Sequence, residues 1–433
     1  MVIPSESLLI MGERGINNRY IHRLKSGTCI MPGDGENKAV WKDDSHPARP
    51  QISISEPILR WALTRSGHGV EDLQHTLPKL SKWLKGEVRP TLPEVETLSK
   101  VTSTPLGFFF LPEPPNEQLS IPHFRSLGNQ QPDQQPSPNL IETIQLMERR
   151  QDWMREYLRE QGSKPLSFVR STHPKDKPES VANEIRRTLG LTDTWAAELP
   201  NWTKALQMLR TKIEEAGILV VVNGVVGNNT HRKLDVTEFR GFVLVDEYAP
   251  LVFVNNADGK AAQMFTLAHE LAHIWFGKSA VFDLKELRPA NDTIETASNR
   301  VAAEFLVPAK QLQEYWHSIK RQPEPFLVIA QHFKVSELVA AYRTLNLGLI
   351  KNDEFNTFYY NYEHEIRDNS KNADGGGDFY ANQNMRVGHR FAMAVIRATR
   401  EGRLLYRDAY NLTGLYGITF EKYAKSLGMG GSK

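Results

Sequence analysis

The decapeptide MFTLAHELAH, Met264–His273, decides how this chain is interpreted, together with the run IETASNRVAAEFLVP that begins at Ile294. On a helix, His269 and His273 lie one turn apart, so their imidazoles project from the same face and can share one metal ion. Glu270 points to the side where the general base of a zinc hydrolase has to lie. The pattern H-E-x-x-H therefore predicts a metal-dependent hydrolase.

A catalytic zinc site needs a third protein ligand and one open position. Glu295 is the candidate, because the chain between Gly277 and Asp292 is long enough to reverse direction and to start a second helix. Asn299 lies one turn further on the same face of that helix. Its side-chain carbonyl is placed to accept the proton-bearing nitrogen of a ligating histidine.

The alternative is that both histidines are ordinary residues of an amphipathic helix. The residues around them, LAHIWF at 271–276, are mostly apolar, so this helix is expected to be buried nearly all round. A polar side chain in a buried helix needs a partner, and a metal ion supplies one. The motif therefore favours the metal site.

The segments FTLAHELAHIWFG and ETASNRVAAEFLVP resemble the ImmA/IrrE family of bacterial and phage metallopeptidases. Members of that family carry a zinc-type H-E-x-x-H helix and a later helix with a glutamate ligand ahead of Asn-x-x-A-A-x-x-L-x-x-P. The resemblance implies that His269, His273 and Glu295 are the ligands and that Glu270 is the catalytic base. It implies Zn²⁺ as the cofactor, with Mn²⁺ or another divalent ion as an alternative.

Composition limits the class of protein. The 433 residues suffice for two to three domains. Because the net charge is only +2, any contact with nucleic acid has to come from a local patch of positive charge. The single cysteine, Cys29, excludes an intrachain disulfide and suits a reducing compartment. Without an apolar run of membrane-spanning length or a signal-peptide pattern, we expect a cytoplasmic protein that does not enter the membrane.

Residues 1–50 mix Gly, Pro and charge, and we expect a poorly structured extension there. Residues 51–112 show four or five short helical segments with short connections, which is typical of a helix-turn-helix domain. VEDLQHT is one of these predicted helices, and TLPEVETLSKVT, capped by Thr91, is another. WLKGEVRPTLPEVETLSK and PLGFFFLPEPP resemble the Xre/Cro-type domain that precedes the peptidase in many ImmA/IrrE proteins. A local positive charge suits contacts with double-stranded DNA phosphates and comes from Lys79, Lys82, Lys85 and Arg89. The alternative is a module that binds protein.

Residues 113–200 are interpreted as a linker and helical connector, with one long helix from about Leu140 to Gln161. Residues 201–320 contain a helix, three predicted strands at 217–222, 239–245 and 250–256, and the two motif helices, an order that resembles a minimal zincin core of the gluzincin type. We expect FVLV or VFVNN to be an edge strand that pairs with an extended peptide substrate. The fold class predicted is α+β, predominantly helical.

Residues 321–362 predict a helical closing segment, with a second helix that starts at Val335 and Ser336. Residues 363–433 predict a flexible loop, DNSKNADGGGD, and a helical C-terminal extension. The extension is amphipathic, which suits the docking of a partner or of a second copy of the chain in a homodimer.

The function predicted is a zinc-dependent endopeptidase coupled to a DNA-binding-type domain, which cleaves a repressor or a toxin-antitoxin partner. The alternatives are a DNA-binding regulator with a structural or sensory metal site and an antitoxin that acts by binding. The positions of residues in the sequence do not indicate which side chain stabilises the oxyanion. The candidates are His231, Tyr248, Arg240 and Arg300.

Overall fold

The computed structural model describes residues 50–117, 119–120, 123–124, 136–282, 293–369 and 379–429. From Gln51 onward these residues form one compact unit. The predicted extension, apart from Pro50, and residues 370–378 of the loop predicted at 368–378 lie outside the described residues. The first two residues of that predicted loop end a helix instead. No described helix combines the length and the apolar character needed to cross a lipid bilayer.

Three short α-helices open the described chain: α1 (Glu56–Ser66), α2 (Leu80–Leu84) and α3 (Leu92–Val101), followed by a 3₁₀ helix at Leu106–Phe110. They share an apolar core of their own, with Ile58, Leu80 and Phe109 almost fully buried. Thr91 caps α3 as predicted, in a capping box in which the Glu94 carboxylate accepts the backbone N–H of Thr91 at 2.8 Å.

The predicted helix VEDLQHT was wrong, because residues 70–76 form consecutive turns. The backbone N–H groups of Gln74 and Thr76 donate to the carbonyls three residues earlier, at 3.3 and 3.1 Å. The segment therefore gives tight turns, with the apolar side chain of Leu73 still in the local core.

Strand β1 (His123–Phe124) precedes three helices, α4 (Pro138–Glu160), α5 (Pro178–Leu189) and α6 (Trp202–Glu215). α4 is the long helix predicted for the connector, and the Ser137 side chain caps it by accepting the N–H of Leu140 at 3.1 Å.

The sheet region contains β2 (Leu219–Asn223), β3 (Val225–Val226), β4 (Asn229–Lys233), β5 (Gly241–Leu244) and β6 (Leu251–Asn255), then α7 (Lys260–Phe276) and β7 (Ala280–Phe282). The five-stranded mixed sheet has the order β1-β7-β5-β6-β2, and β3 and β4 form a separate hairpin. β2 runs parallel to β6, whereas β5 is antiparallel to both β6 and β7.

The expectation that FVLV or VFVNN is an edge strand was wrong. β5 lies between β7 and β6, and β6 lies between β5 and β2. The reason is that residues 280–282, read as part of a reversing loop, pair with β5 and cover its free side. Among the described residues the sheet edges are β1 and β2.

Within the described residues from Thr293 to the end of the chain, nine helices follow: α8 (Thr293–Leu306), α9 (Ala309–Ile319), α10 (Pro325–Phe333), α11 (Glu337–Asn346), α12 (Asn352–Asn369), α13 (Phe379–Val387), α14 (His389–Arg400), α15 (Tyr406–Thr413) and α16 (Ile418–Ser426). Ser336 caps α11, as the sequence predicts, by accepting the N–H of Val339 at 3.2 Å. This helical content and one small mixed sheet agree with the predicted predominantly helical α+β class.

The sheet separates two apolar cores, because alternate strand residues face opposite sides. Val220 and Val222 of β2 pack with α5 to α8, whereas Leu219 and Val221 pack with α4, α14 and α16. The apolar face of α14, with Phe391 and Val395, is buried in the second core. That face of the predicted C-terminal extension is therefore not available to dock a partner.

Candidate metal centre

Helix α7 carries the H-E-x-x-H motif through the interior of the fold. All its residues from Gln263 to Phe276 are buried, and it ends at Gly277, whose φ of 74° is left-handed. Strands β5 and β6 cover one side and α8 covers another. His269 and His273, one turn apart, are both 0% exposed, with their ring centroids 4.8 Å apart.

Helix α8 brings Glu295 to the two histidines. The Nε2 atoms of His269 and His273 lie 3.0 Å apart. Glu295 Oε2 lies 3.2 Å from His269 Nε2, and Glu295 Oε1 lies 3.1 Å from His273 Nε2. One nitrogen from each imidazole and the carboxylate thus converge on a common point.

This donor set fits a divalent metal ion. Ligand atoms about 2.0–2.1 Å from a tetrahedral zinc ion are separated from one another by roughly 3.3 Å, close to the spacing observed here. The three residues together form a cluster able to hold a metal ion. Two imidazoles and one carboxylate leave one tetrahedral position open, which is the composition of catalytic zinc sites.

Asn299 lies behind one of the imidazoles, one turn beyond Glu295 on α8. Its Oδ1 is 2.9 Å from Nδ1 of His269. When this nitrogen carries the proton, His269 donates to the amide oxygen and presents the lone pair of Nε2 to the cluster. Burial lowers the pKa of His269, which favours the neutral, metal-binding form of the ring.

The carboxylate of Glu270 is fully buried, and neither of its oxygens has a hydrogen-bond partner among the described residues. Nδ1 of His273 is likewise buried and has no hydrogen-bond partner among the described residues. Buried polar atoms without partners are rare and call for an explanation such as a bound ion or water. Burial, and next the negative charge of Glu295, raise the pKa of Glu270 well above its usual value, so the ionised carboxylate is a strong base.

Gly241 at the start of β5 touches this carboxylate, and sequence reasoning missed it. A Cβ at this position would lie 3.4 Å from Glu270 Oε1 and only 2.5 Å from Thr266 Cγ2. The signal was present in FRGFVLV, because a glycine inside a strand often marks the close approach of another group. The absence of a side chain at Gly241 lets α7 pack closely against the sheet beside Glu270.

The four candidates for an oxyanion donor are scattered. His231 is exposed on the β3–β4 hairpin, and the guanidinium of Arg159 lies 5.0 Å from the ring centre of Tyr248. Arg240 pairs with Asp258 at 2.9 Å, and Arg300 is exposed on α8. Along the chain, Arg240 directly precedes Gly241, and Arg300 directly follows Asn299.

The four basic residues predicted to contact DNA phosphates are all exposed: Lys79, Lys82, Lys85 and Arg89. Lys79 pairs with Glu94 at 3.1 Å, so part of its charge is compensated within the domain. Lys82 is on α2, and Lys85 and Arg89 follow that helix.

Two segments of the chain match models of known protein families. Residues 213–345 match the family model described as the IrrE N-terminal-like domain, of peptidase family M78, and residues 387–426 match a domain of unknown function, DUF8813. The first match contains the complete His269, His273 and Glu295 cluster. It supports a relationship of this segment to the ImmA/IrrE family and a metallopeptidase-type activity on a protein substrate. No curated protein and no solved structure matches the chain.

Proposed function

We propose that the chain is a zinc-dependent endopeptidase with a zincin-like core of the gluzincin type at residues 201–320. One observation carries the proposal: three ligand atoms from His269, His273 and Glu295 lie 3.0–3.2 Å apart beside a buried carboxylate without a hydrogen-bond partner among the described residues. A purely structural metal site has no use for the unsatisfied Glu270.

Nε2 of His269, Nε2 of His273 and the carboxylate of Glu295 would hold the ion, and Asn299 would fix the orientation of the first ring. Zn²⁺ suits this donor set best, and Mn²⁺ is the alternative. A divalent ion bound there supplies Lewis acidity, which polarises a peptide carbonyl and makes water easier to deprotonate at neutral pH.

Glu270 performs the proton transfers in this proposal. One carboxylate oxygen accepts a proton from the attacking water, and the same oxygen then donates it to the leaving amine. Strand β5 lies directly beside Glu270, since a Cβ at Gly241 would be 3.4 Å from its Oε1. The apolar surroundings strengthen its basicity.

The substrate of the proposed peptidase is a protein partner, either a repressor or a component of a toxin-antitoxin pair. His269, Glu270 and His273 are 0% exposed. A substrate segment therefore has to displace part of the chain that covers the site, and an extended, unfolded segment can do so most easily.

Metal analysis of the wild type and of His269→Ala, with mass spectrometry of the protein encoded by the neighbouring gene after incubation with each, tests the proposal. We expect one ion per chain and cleavage with the wild type, and neither with His269→Ala. Glu270→Gln should retain the ion and lose cleavage, whereas Glu198→Gln, at an exposed position, should retain both. A Glu270→Gln protein that cleaves at the wild-type rate would exclude this residue as the base.

The main alternatives predict different results in the same experiment. A DNA-binding regulator with a structural or sensory ion would lose its fold or its DNA affinity with His269→Ala, and every candidate protein would remain intact. An antitoxin would copurify with an uncleaved toxin.

For residues 51–112 we propose a helix-turn-helix module that binds double-stranded DNA through phosphates. The support is a separate small core and three exposed basic residues that lack an ion-pair partner among the described residues, Lys82, Lys85 and Arg89. Fluorescence anisotropy with promoter DNA at several salt concentrations tests this role. Loss of these three charges should weaken binding and flatten its salt dependence. Unchanged binding would favour a protein-binding module.

A further inference from the structure

A cavity of about 930 Å³ lies among α4, α6, α13 and α14. Three of these helices, α6, α13 and α14, pack against edge strand β2. One wall comes from α6, near the start of the segment that matches the peptidase family, and another comes from α14, inside the segment of unknown function. None of the metal ligands lines this cavity.

Three arginines line the cavity: Arg210 on α6, and Arg390 and Arg397 on α14. Within the described part of the chain, no guanidinium of these three makes a hydrogen bond or an ion pair. The Nε atoms of Arg210 and Arg390 are buried as well. Burial lowers the pKa of both side chains, which shows that the surroundings disfavour their charge.

The two acidic residues of the lining compensate these charges only in part. The charge of Glu214 attracts Arg210 and Arg390 without an ion-pair contact to either, and the lining holds four arginine and lysine side chains against two carboxylates. The Glu214 carboxylate accepts the backbone N–H of Arg390 at 3.1 Å and so caps the start of α14. Glu215 pairs with Lys212 at 2.8 Å. Lys260 adds a further positive charge to the lining. The cavity is therefore cationic, with donors that have no acceptor within the fold.

Apolar side chains complete the walls, among them Met154, Leu206 and Met393, with the ring of Tyr157 beside them. Small-molecule sites combine such an apolar lining with a few convergent polar groups. Because guanidinium groups bind carboxylates and phosphates with paired hydrogen bonds, an anionic group is the natural complement of the arginines.

We propose that this cavity binds an organic anion that carries a phosphate or carboxylate group on an apolar or aromatic body. The charged group binds Arg210, Arg390 and Arg397, and the body lies against the methionines and Tyr157. The proposal does not depend on the peptidase activity. It gives the C-terminal extension a ligand-binding role together with α6.

The ligand would also contact the helix that carries the metal ligands. Lys260, in the lining, is the first residue of α7, and His269 lies nine residues further along the same helix, about 14 Å along its axis. A ligand in the cavity can therefore act on the position of α7 without entering the metal centre.

Thermal unfolding of the full chain with increasing phenyl phosphate, benzoate or neutral benzyl alcohol tests the proposal. We expect at least one of the two anions to raise the unfolding midpoint further at each higher concentration, as a ligand that binds only the folded state does, and benzyl alcohol to have no such effect. Stabilisation by phenyl phosphate alone assigns a phosphate group, and stabilisation by benzoate assigns a carboxylate. Sodium chloride at matched ionic strength controls for general salt effects.

Arg210→Gln and Arg397→Gln should each weaken anion binding about tenfold or more, since each removes a charge-assisted hydrogen bond. Arg187→Gln, an exposed charge on α5 outside the cavity, is the matched control and should bind normally. Arg397 is itself exposed, so its variant keeps the test valid if Arg210→Gln fails to fold. Absence of stabilisation by either anion at millimolar concentration, or equal affinity in all three variants, would overturn the proposal.

Discussion

Asn299 Oδ1 lies 2.9 Å from His269 Nδ1, whereas Nδ1 of His273 has no hydrogen-bond partner among the described residues. The two imidazoles of the metal centre are therefore held differently. The contact with Asn299 selects the ring orientation and tautomer of His269, so the lone pair of its Nε2 faces Glu295. His273 depends on its position in the buried helix alone.

Asn299→Ala should weaken metal binding by about 10- to 100-fold, because the His269 ring loses the acceptor that orients it. Competition between the protein and a chelator of known affinity measures the change. Asn346→Ala, an exposed asparagine at the end of α11, is the control and should bind as the wild type does. Unaltered affinity in Asn299→Ala would mean that packing alone orients the ring.

Gly241→Ala should impair both stability and cleavage. The added methyl group would lie 2.5 Å from Thr266 Cγ2 and 2.8 Å from the carbonyl oxygen of Phe253, so β5 and α7 have to move apart beside Glu270. Overpacking of this kind costs about 1–3 kcal/mol of unfolding free energy. Urea denaturation measures the cost, and the cleavage assay measures the displacement of Glu270.

Gly107→Ala is the control for the glycine substitution itself, because nothing lies within 4 Å of a Cβ at that position. It should leave stability nearly unchanged. If Gly241→Ala is as stable and as active as Gly107→Ala, the contact between β5 and α7 has no role in holding the base.

The sequence predicted the metal cluster because its signal is local. Helix geometry alone brings two histidines at one-turn spacing to the same face, where a glutamate of the next helix can reach them. Asn299 lies one turn beyond that glutamate and was predicted from the same spacing. The sheet order was not predictable in this way. Strand β7 has three residues and β1 has two, too few for an alternating pattern to stand out, so both segments were read as connections.

The turn at residues 70–76 shows a second limit of sequence reasoning. Val70, Leu73 and Leu77 have helical spacing, and the two leucines are buried in the local core. The Asp72 carboxylate, however, accepts the backbone N–H of Gly69 at 2.7 Å, and such a side-chain contact to the backbone competes with helix formation. The anion cavity was equally out of reach, because its arginines come from helices almost two hundred residues apart.

A buried ion pair joins Arg343 on α11 to Glu304 on α8, the helix that also carries Glu295. Arg343 also donates from Nε to the carbonyl of Val307 at 3.0 Å. Arg343→Met should lower the unfolding free energy by about 3–5 kcal/mol, because it leaves the Glu304 carboxylate buried without its partner. Chemical denaturation with urea measures this loss.

The double variant Arg343→Met, Glu304→Met distinguishes the interaction between the two charges from the effect of substituting either residue alone. It removes both charges, so it should be more stable than Arg343→Met alone even though Ala309 loses the carboxylate acceptor of its N–H at 3.2 Å. A double variant less stable than the single one would show that Glu304 stabilises the fold mainly through the N–H of Ala309 rather than through Arg343.

Glu214 should make stability depend on pH in a defined direction. Burial raises its pKa above 4.5, despite the opposing hydrogen bond from the Arg390 backbone and the charge of Arg210. The folded state therefore keeps the proton to higher pH than the unfolded state does. Its stabilising contribution is complete below the unfolded-state pKa and is lost as the pH rises through the folded-state pKa.

Glu214→Gln removes this titration while it keeps an acceptor for the Arg390 N–H. Relative to the wild type, the variant should gain stability as the pH rises from about 4, near the unfolded-state pKa, through the raised folded-state pKa at which the buried carboxyl of the wild type loses its proton. Urea denaturation across this range, in buffers free of phosphate and carboxylate, measures the difference, and Glu71→Gln controls for the loss of an exposed carboxylate. A difference that stays constant or shrinks with rising pH would show that Arg210 and the start of α14 keep Glu214 ionised in the folded protein, and the cavity would then be less cationic than its unpaired arginines indicate.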